Sequence, residues 1–230
     1  MKVISIFFLK NIIKFQIQYK SMKRLFIFDL DGMLIDSVAF SIRCFNMLFE
    51  YYGLPTYDKN LSDLDYEDFR SFLRSNIDMS RPEVLDKFVE IYSGVPEDSE
   101  AYDGIHEVLE SLLNQGKTLA ICSNREEENI KDDVGRVFPD IEFKYISGYR
   151  PGIPDKPDPY RLNEIVEKEG IAKKEAIYFG DKDVDIIAAE NADIDMVVVK
   201  WGQGNENDYS NPYPLKAIDS PNDILDFANK

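Results

Sequence analysis

The stretch Phe26-Ile27-Phe28-Asp29-Leu30-Asp31-Gly32-Met33-Leu34-Ile35-Asp36-Ser37 drives apolar residues straight into two aspartates one residue apart, then returns through a glycine to apolar chain. Residues 24–28 read as a short, fully buried strand. Residues 118–122, 142–146, 176–179 and 196–199 read the same way. Helical patterns lie between them. In 104–114, Ile105, Val108, Leu109, Leu112 and Leu113 form an amphipathic stripe that Gly116 ends, and 161–168 and 184–191 are shorter helical stretches. Strands alternating with helices predict an α/β, Rossmann-like parallel sheet with helices on both faces.

Residues 38–100 break the alternation and read as wholly helical. Val38, Ile42, Phe45, Phe49 and Tyr52 mark one helix, and Tyr66, Phe69, Leu73 and Ile77 a second. Ser80-Arg81-Pro82-Glu83 has the spacing of a capping box opening a third, with Leu85, Phe88, Val89 and Tyr92 expected inward. The expected organisation is a core of 22–37 and 101–230 with an inserted all-helical domain over 38–100.

The 230 residues carry a formal net charge of −16, from 43 acidic and 27 basic side chains. Such a surface repels phosphate backbones and anionic lipid, so neither nucleic acid nor membrane is expected as a partner. Cys44 and Cys122, far apart in apolar surroundings, read as reduced thiols of a cytoplasmic protein. A single histidine, His106, excludes chemistry that needs two imidazoles. The apolar run 3–9 stops at Lys10 with no small-residue cleavage site, and Met22-Lys23-Arg24 directly precedes the first strand. Residues 1–21 therefore read as an N-terminal extension or upstream-start artefact in preference to the alternative, a secretory signal.

In a parallel sheet, ligands bind at the carboxyl ends of the strands. There the sequence places Asp29 and Asp31, then Ser123-Asn124-Arg125, then Gly180-Asp181-Lys182-Asp183-Val184-Asp185, with Lys156-Pro157-Asp158-Pro159 in the loop before. Clustered carboxylates stay ionised only beside a cation, and hard oxygen ligands in a small site suit Mg²⁺. A lysine beside the metal suits an anion that gains charge during reaction, as in phosphoryl transfer. No Walker-type glycine loop is present.

On these residues the chain resembles the haloacid dehalogenase-like hydrolases, in the phosphoglycolate phosphatase and β-phosphoglucomutase branch. Asp29-Leu30-Asp31-Gly32, Ile121-Cys122-Ser123-Asn124, Lys156-Pro157-Asp158-Pro159 and Gly180-Asp181 through Asp185 match the family's four motifs in order, and 38–100 matches its helical cap. The resemblance covers the chain from about Met22 to its end. It implies a Mg²⁺-dependent phosphatase acting on a small phosphorylated metabolite. Asp29 would be the nucleophile that forms an aspartyl-phosphate, and Asp31 the acid and then the base. Ser123 would hold phosphoryl oxygens and Lys156 would offset charge. Asp29, the Asp31 carbonyl, Asp181 and, through water, Asp185 would serve the metal. Asn124 and Arg125 are candidate substrate contacts. Met33 departs from the family, which usually has threonine there; it reads as a packing variation.

Competing readings are local. Asp36-Ser37 reads as a helix cap, not a catalytic pair, and Asp183 as helix-start charge with metal binding as its alternative. Arg70, Arg74 and Arg43 read as a solvated face, or as contacts to an anionic substrate tail. Arg125 reads equally as an anion site or as surface charge. His106 is expected on the outer side of its helix, and Trp201-Gly202 as an anchor and turn without chemistry. A phosphomutase shares every motif with a phosphatase, so the motifs do not separate them. A non-catalytic metal- or phosphate-binding regulator fits poorly with retention of all the aspartates and Lys156. A true dehalogenase has no use for Asp31.

Overall fold

The computed structural model describes residues 22–58, 66–95 and 98–228, so the expectations for 1–21 lie outside the described residues. The strands are β1 (Leu25–Phe28), β2 (Ile35–Asp36), β3 (Glu100–Ala101), β4 (Thr118–Glu126), β5 (Tyr145–Tyr149), β6 (Ala176–Gly180), β7 (Met196–Val199) and β8 (Lys216–Ile218). The helices are α1 (Val38–Tyr51), α2 (Tyr66–Asn76), α3 (Pro82–Gly94), α4 (Ile105–Asn114), α5 (Glu127–Val137), α6 (Tyr160–Glu169), α7 (Asp183–Ala192) and α8 (Glu206–Tyr209). Six strands form one parallel sheet in the order β5-β4-β1-β6-β7-β8.

The unbroken apolar run of β1 follows from covering both faces of that sheet. Phe26 and Phe28 point to one face, where Phe179 stacks on both at 5.9 and 5.3 Å beneath α4 and α5. Leu25 and Ile27 point to the other, under α6 and α7. With β1 locked between β4 and β6, and Asp29 N donating to the Phe179 carbonyl at 2.8 Å, the two aspartates emerge at the middle of the carboxyl edge. The 24–28 and 118–122 segments enter this sheet as expected, but β4 runs on to Glu126 with an irregular register after Cys122. The strand expected at 142–146 begins instead at Tyr145: Ile141 and Phe143 owe their apolar character to packing on the core from the approach loop. β8, a three-residue edge strand, has no apolar run to announce it.

The helical segment has its own small cores. Phe40, Cys44 and Leu48 of α1 meet Val84 and Ile91 of α3, while Val38 and Ile42 meet Tyr57 and Phe69. Its inward stripe on α3 is Val84, Phe88, Ile91 and Tyr92; Leu85 and Val89, expected inward, are 48% and 54% exposed. The capping box is absent too. Ser80 Oγ donates to Asp78 at 2.6 Å, and Glu83 accepts from Arg81 Nε at 2.8 Å. At α1 the cap bond comes from Asp36, whose Oδ1 accepts from Val38 N at 3.2 Å, and not from Ser37. The chain leaves and re-enters the sheet region through β2 and β3, which pair antiparallel. No described helix is long and apolar enough to cross a membrane.

Candidate active site

Asp29, Asp181 and Asp185 each place a carboxylate oxygen within 4.8 Å of the others, and all three are buried. They come from the end of β1, the end of β6 and the first turn of α7. Lys156 enters from the loop after β5, its side chain 2% exposed. Its three ammonium protons have three acceptors: Asp29 Oδ1 at 2.8 Å, Asp185 Oδ1 at 2.6 Å and the Tyr178 hydroxyl at 2.9 Å. Tyr178, central in β6, in turn donates to Asp185 at 2.8 Å.

One ammonium cannot neutralise three buried carboxylates, and the pKa values divide accordingly. Against the cost of burial, Asp185 and Asp29 hold Lys156 above the ordinary lysine range. Asp185 is buried as well, but direct contact with Lys156 keeps it below the usual carboxylate range. Burial pushes Asp29 up to about 6, with Lys156 pulling it back and Asp185 adding to the rise. Burial pushes Asp181 up to about 8, opposed by Lys182 and reinforced by Asp185 and Asp29. Asp181 Oδ2 accepts from Gln203 N at 2.7 Å, while its buried Oδ1 has no hydrogen-bond partner. A desolvated oxygen without a donor, beside two further carboxylates, fits a hard divalent cation.

Segment 201–204 builds the wall behind Asp181, a role the sequence reading did not give it. A Cβ at Gly202 would lie 2.2 Å from the Gly32 carbonyl oxygen and 2.6 Å from Asp181 Cβ. Gly32 has φ +81°, and a Cβ there would sit 2.2 Å from Asp181 Oδ2. Trp201 Nε1 donates to the Met33 carbonyl at 3.1 Å, and the Met33 side chain is fully buried in the core. The available signal was the pair Gly202 and Gly204 just past the carboxyl end of β7. Tyr178 was masked by its apolar strand neighbours.

The structure distributes the other candidates differently. Asp31 is 24% exposed at its side chain and is bound through both oxygens by Arg125. Ser123 is buried near the end of β4, its Oγ accepting from Arg125 N at 3.3 Å. Asn124 turns to the Lys156 loop: it accepts from Lys156 N at 2.8 Å, donates to the Lys156 carbonyl at 3.0 Å and accepts from Arg161. It therefore fixes the lysine's backbone. Asp183 is exposed, and its Oδ1 accepts from Val184 N at 2.8 Å. Arg43 pairs with Asp98, Arg74 is exposed, and Arg70 lies near enough to Asp208 to oppose the rise that burial causes there. His106 sits on the outer side of α4 and bonds Asp140 at 2.8 Å.

The raised carboxylates give an expected pH dependence. Asp29 and Asp181, raised to about 6 and about 8, stabilise the cation-free fold most below the unfolded carboxylate pKa of about 4. That contribution is lost as pH rises through the two folded values. Asp185, lowered, has its contribution complete above the unfolded value and adds no slope there. Melting temperature in EDTA is therefore expected to fall between about pH 5 and pH 8.5, and the gain on adding Mg²⁺ to grow over the same range. Melts at four pH values check it; a flat or rising profile in EDTA would contradict the desolvation of the trio.

A parallel sheet that gathers a buried lysine and carboxylates at its carboxyl edge places the protein among Rossmann-like α/β enzymes. More specifically, the model of the haloacid dehalogenase-like hydrolase family matches residues 26–199, and the chain belongs to that family. It is similar to a phosphoglycolate phosphatase of Pseudomonas fluorescens, with 28% identity covering 90% of this chain and 78% of that one. It is also similar to a phosphoglycolate phosphatase of Agrobacterium fabrum, with 30% identity covering 76% and 80%. A haloacid dehalogenase-like family hydrolase of Streptococcus pneumoniae shares the fold, with TM-score 0.73 and 21% identity over 89% of this chain and 98% of that chain. The protein is a phosphoric monoester hydrolase.

Proposed function

We propose that the protein is a Mg²⁺-dependent phosphatase of a small phosphorylated metabolite, phosphoglycolate being the first candidate, and that it works through an aspartyl-phosphate on Asp29. The observation that carries this reading is the buried trio with Lys156 at the carboxyl edge of β1 and β6. Asp29, Asp181 and Asp185, with the Asp31 carbonyl, would hold the cation, which supplies positive charge to the phosphoryl oxygens. An Asp29 oxygen attacks phosphorus as the bond to the substrate oxygen breaks, and Asp31 gives that oxygen its proton. Water then attacks the same phosphorus, Asp31 takes the water's proton, and the Asp29 carboxylate is released with free phosphate. Lys156 stays protonated throughout, held by its two carboxylates, and Ser123 would donate its hydroxyl to a phosphoryl oxygen. The described helices α1, α2 and α3 would serve as the cap over this edge.

The test is phosphate release from a panel of small phosphomonoesters, phosphoglycolate and sugar phosphates included. Turnover is expected with Mg²⁺, a fall to background in EDTA, and recovery when Mg²⁺ is restored. Ca²⁺ is expected to substitute poorly, because its longer bonds and higher coordination number misplace the attacking carboxylate. Full activity in cation-free protein would overturn the scheme.

A further inference from the structure

Among the described residues, Arg161 is the largest side chain that is fully buried. It stands in the first turn of α6, whose other inward residues, Leu162, Ile165 and Val166, belong to an apolar cluster. Its partners all lie at the carboxyl edge of the sheet. One terminal nitrogen donates to the Ser123 carbonyl, and the other donates to Asn124 Oδ1 and, at 2.9 Å, to Asp155 Oδ1. Its Nε is buried without a hydrogen-bond partner, and Asp155, its one charged partner, is 43% exposed at the side chain. A guanidinium buried this deeply, against a half-exposed carboxylate and with one donor unmet, costs stability. Departures of this kind collect at functional sites.

The arginine grips the peptide between Ser123 and Asn124. Along β4, Thr118 N donates to the Arg24 carbonyl at 2.9 Å, on the β1 side, while the Leu119 carbonyl accepts from Lys144 N at 2.9 Å, on the β5 side. Even-numbered residues of β4 therefore direct their backbone groups toward β1 and odd-numbered ones toward β5. In that phase the Asn124 N–H points toward β1. Phe28 is level with Ile121, so the chain that continues from β1 into Asp29 lies alongside. Planarity gives the same answer: the Ser123–Asn124 peptide is trans, and with its carbonyl turned to Arg161 its N–H points the opposite way. The same guanidinium reaches the lysine loop. Asn124 Oδ1 also accepts from Lys156 N at 2.8 Å, and Asp155 immediately precedes Lys156.

We propose that Arg161 is a positioning residue for phosphoryl transfer. By holding the Ser123 carbonyl it turns the Asn124 N–H toward the phosphoryl group on Asp29, and through Asn124 and Asp155 it keeps Lys156 in step with that donor. It touches neither substrate nor cation and exchanges no proton. The inference rests on the phosphatase reading above and adds to it a residue outside the four matched motifs.

The experiment measures the inhibition constant of inorganic phosphate against para-nitrophenyl phosphate turnover, in Mg²⁺, for wild type and Arg161→Met. Methionine fills the apolar space and offers no donor. An inhibition constant does not depend on how much of the enzyme is folded, so partial unfolding leaves it in place. Loss of the grip is expected to raise it more than about tenfold, the scale of one charged hydrogen bond. A rise below about tenfold overturns the proposal and leaves Arg161 a structural fastener. Should Arg161→Met not fold, proton NMR of wild type decides. Hydrogen bonds in a chain polarise one another, so phosphate with Mg²⁺ is expected to move the Asn124 amide proton and the Arg161 Nη protons downfield together. Arg161 protons that stay in place overturn the proposal. If the phosphatase reading itself is wrong, wild type releases phosphate from no phosphomonoester, and this inference falls with it. If only this inference is wrong, wild type turns over, and phosphate inhibits wild type and Arg161→Met alike.

Discussion

Asp29→Asn is expected to lower kcat by about four orders of magnitude, on the order of 5–6 kcal/mol of transition-state stabilisation, without loss of fold. A carboxamide has neither the charge nor the lone-pair reactivity to attack phosphorus. The substitution keeps the shape of a residue that is only 3% exposed. Lys156 loses one charged acceptor but keeps Asp185 at 2.6 Å and Tyr178 at 2.9 Å. Removing a desolvated carboxylate whose pKa is pushed to about 6 also relieves its repulsion with Asp185. Cation-free melting temperature at pH 8 is therefore expected to hold or rise, while the gain on adding Mg²⁺ shrinks because one of three carboxylates is gone. Steady-state kinetics and paired melts, with and without Mg²⁺, check both halves. A kcat within tenfold of wild type would remove Asp29 from the nucleophile's role. A collapse in melting temperature would mean that the lost activity reports unfolding instead.

The parts of this site that sequence could supply are those where chemistry and chain position coincide. A strand end is visible in the sequence, because an apolar run stops, and the polar residue that stops it is already at the ligand edge of a parallel sheet. Asp29, Ser123 and Asp181 are legible for that reason. Contacts that depend on which loop folds over which are not. Gln203 reaches Asp181 only because β7 lies beside β6 and the chain doubles back past Gly202. The partnership of Arg125 with Asp31 depends on β4 lying beside β1, and the irregular register after Cys122 aims the arginine along the edge. Helix phase is ambiguous for a related reason. In α3, Leu85-Phe88-Val89-Tyr92 and Val84-Phe88-Ile91-Tyr92 are both regular stripes, and packing against Cys44 and Leu48 selects the second. Asn124 shows a further limit: beside Ser123 it reads as a candidate substrate contact, and its bonds to the backbone of Lys156 depend on a loop that the sequence does not place beside it.

Asp31→Asn is expected to slow the enzyme unequally, and the inequality identifies what Asp31 does. A general acid matters in proportion to the basicity of the leaving oxygen. An alkoxide leaves poorly unless protonated, so formation of the aspartyl-phosphate from an alkyl phosphate is expected to slow by roughly 10²–10⁴-fold. A nitrophenolate leaves without help, and the same step from para-nitrophenyl phosphate is expected to slow by less than about tenfold. Hydrolysis of the intermediate has no organic leaving group and needs a base for water, so it is expected to slow for both substrates alike. Rapid-mixing single turnovers separate the steps, with alcohol or nitrophenolate release marking the first and free phosphate the second. The variant keeps a side-chain oxygen that Arg125 can still engage, and Asp31 lies outside the buried trio, so the pocket's charge balance near Lys156 is little disturbed. If the first step slows equally for both leaving groups, Asp31 acts by holding Arg125 and the loop in place, and the proton must come from another group at the carboxyl edge.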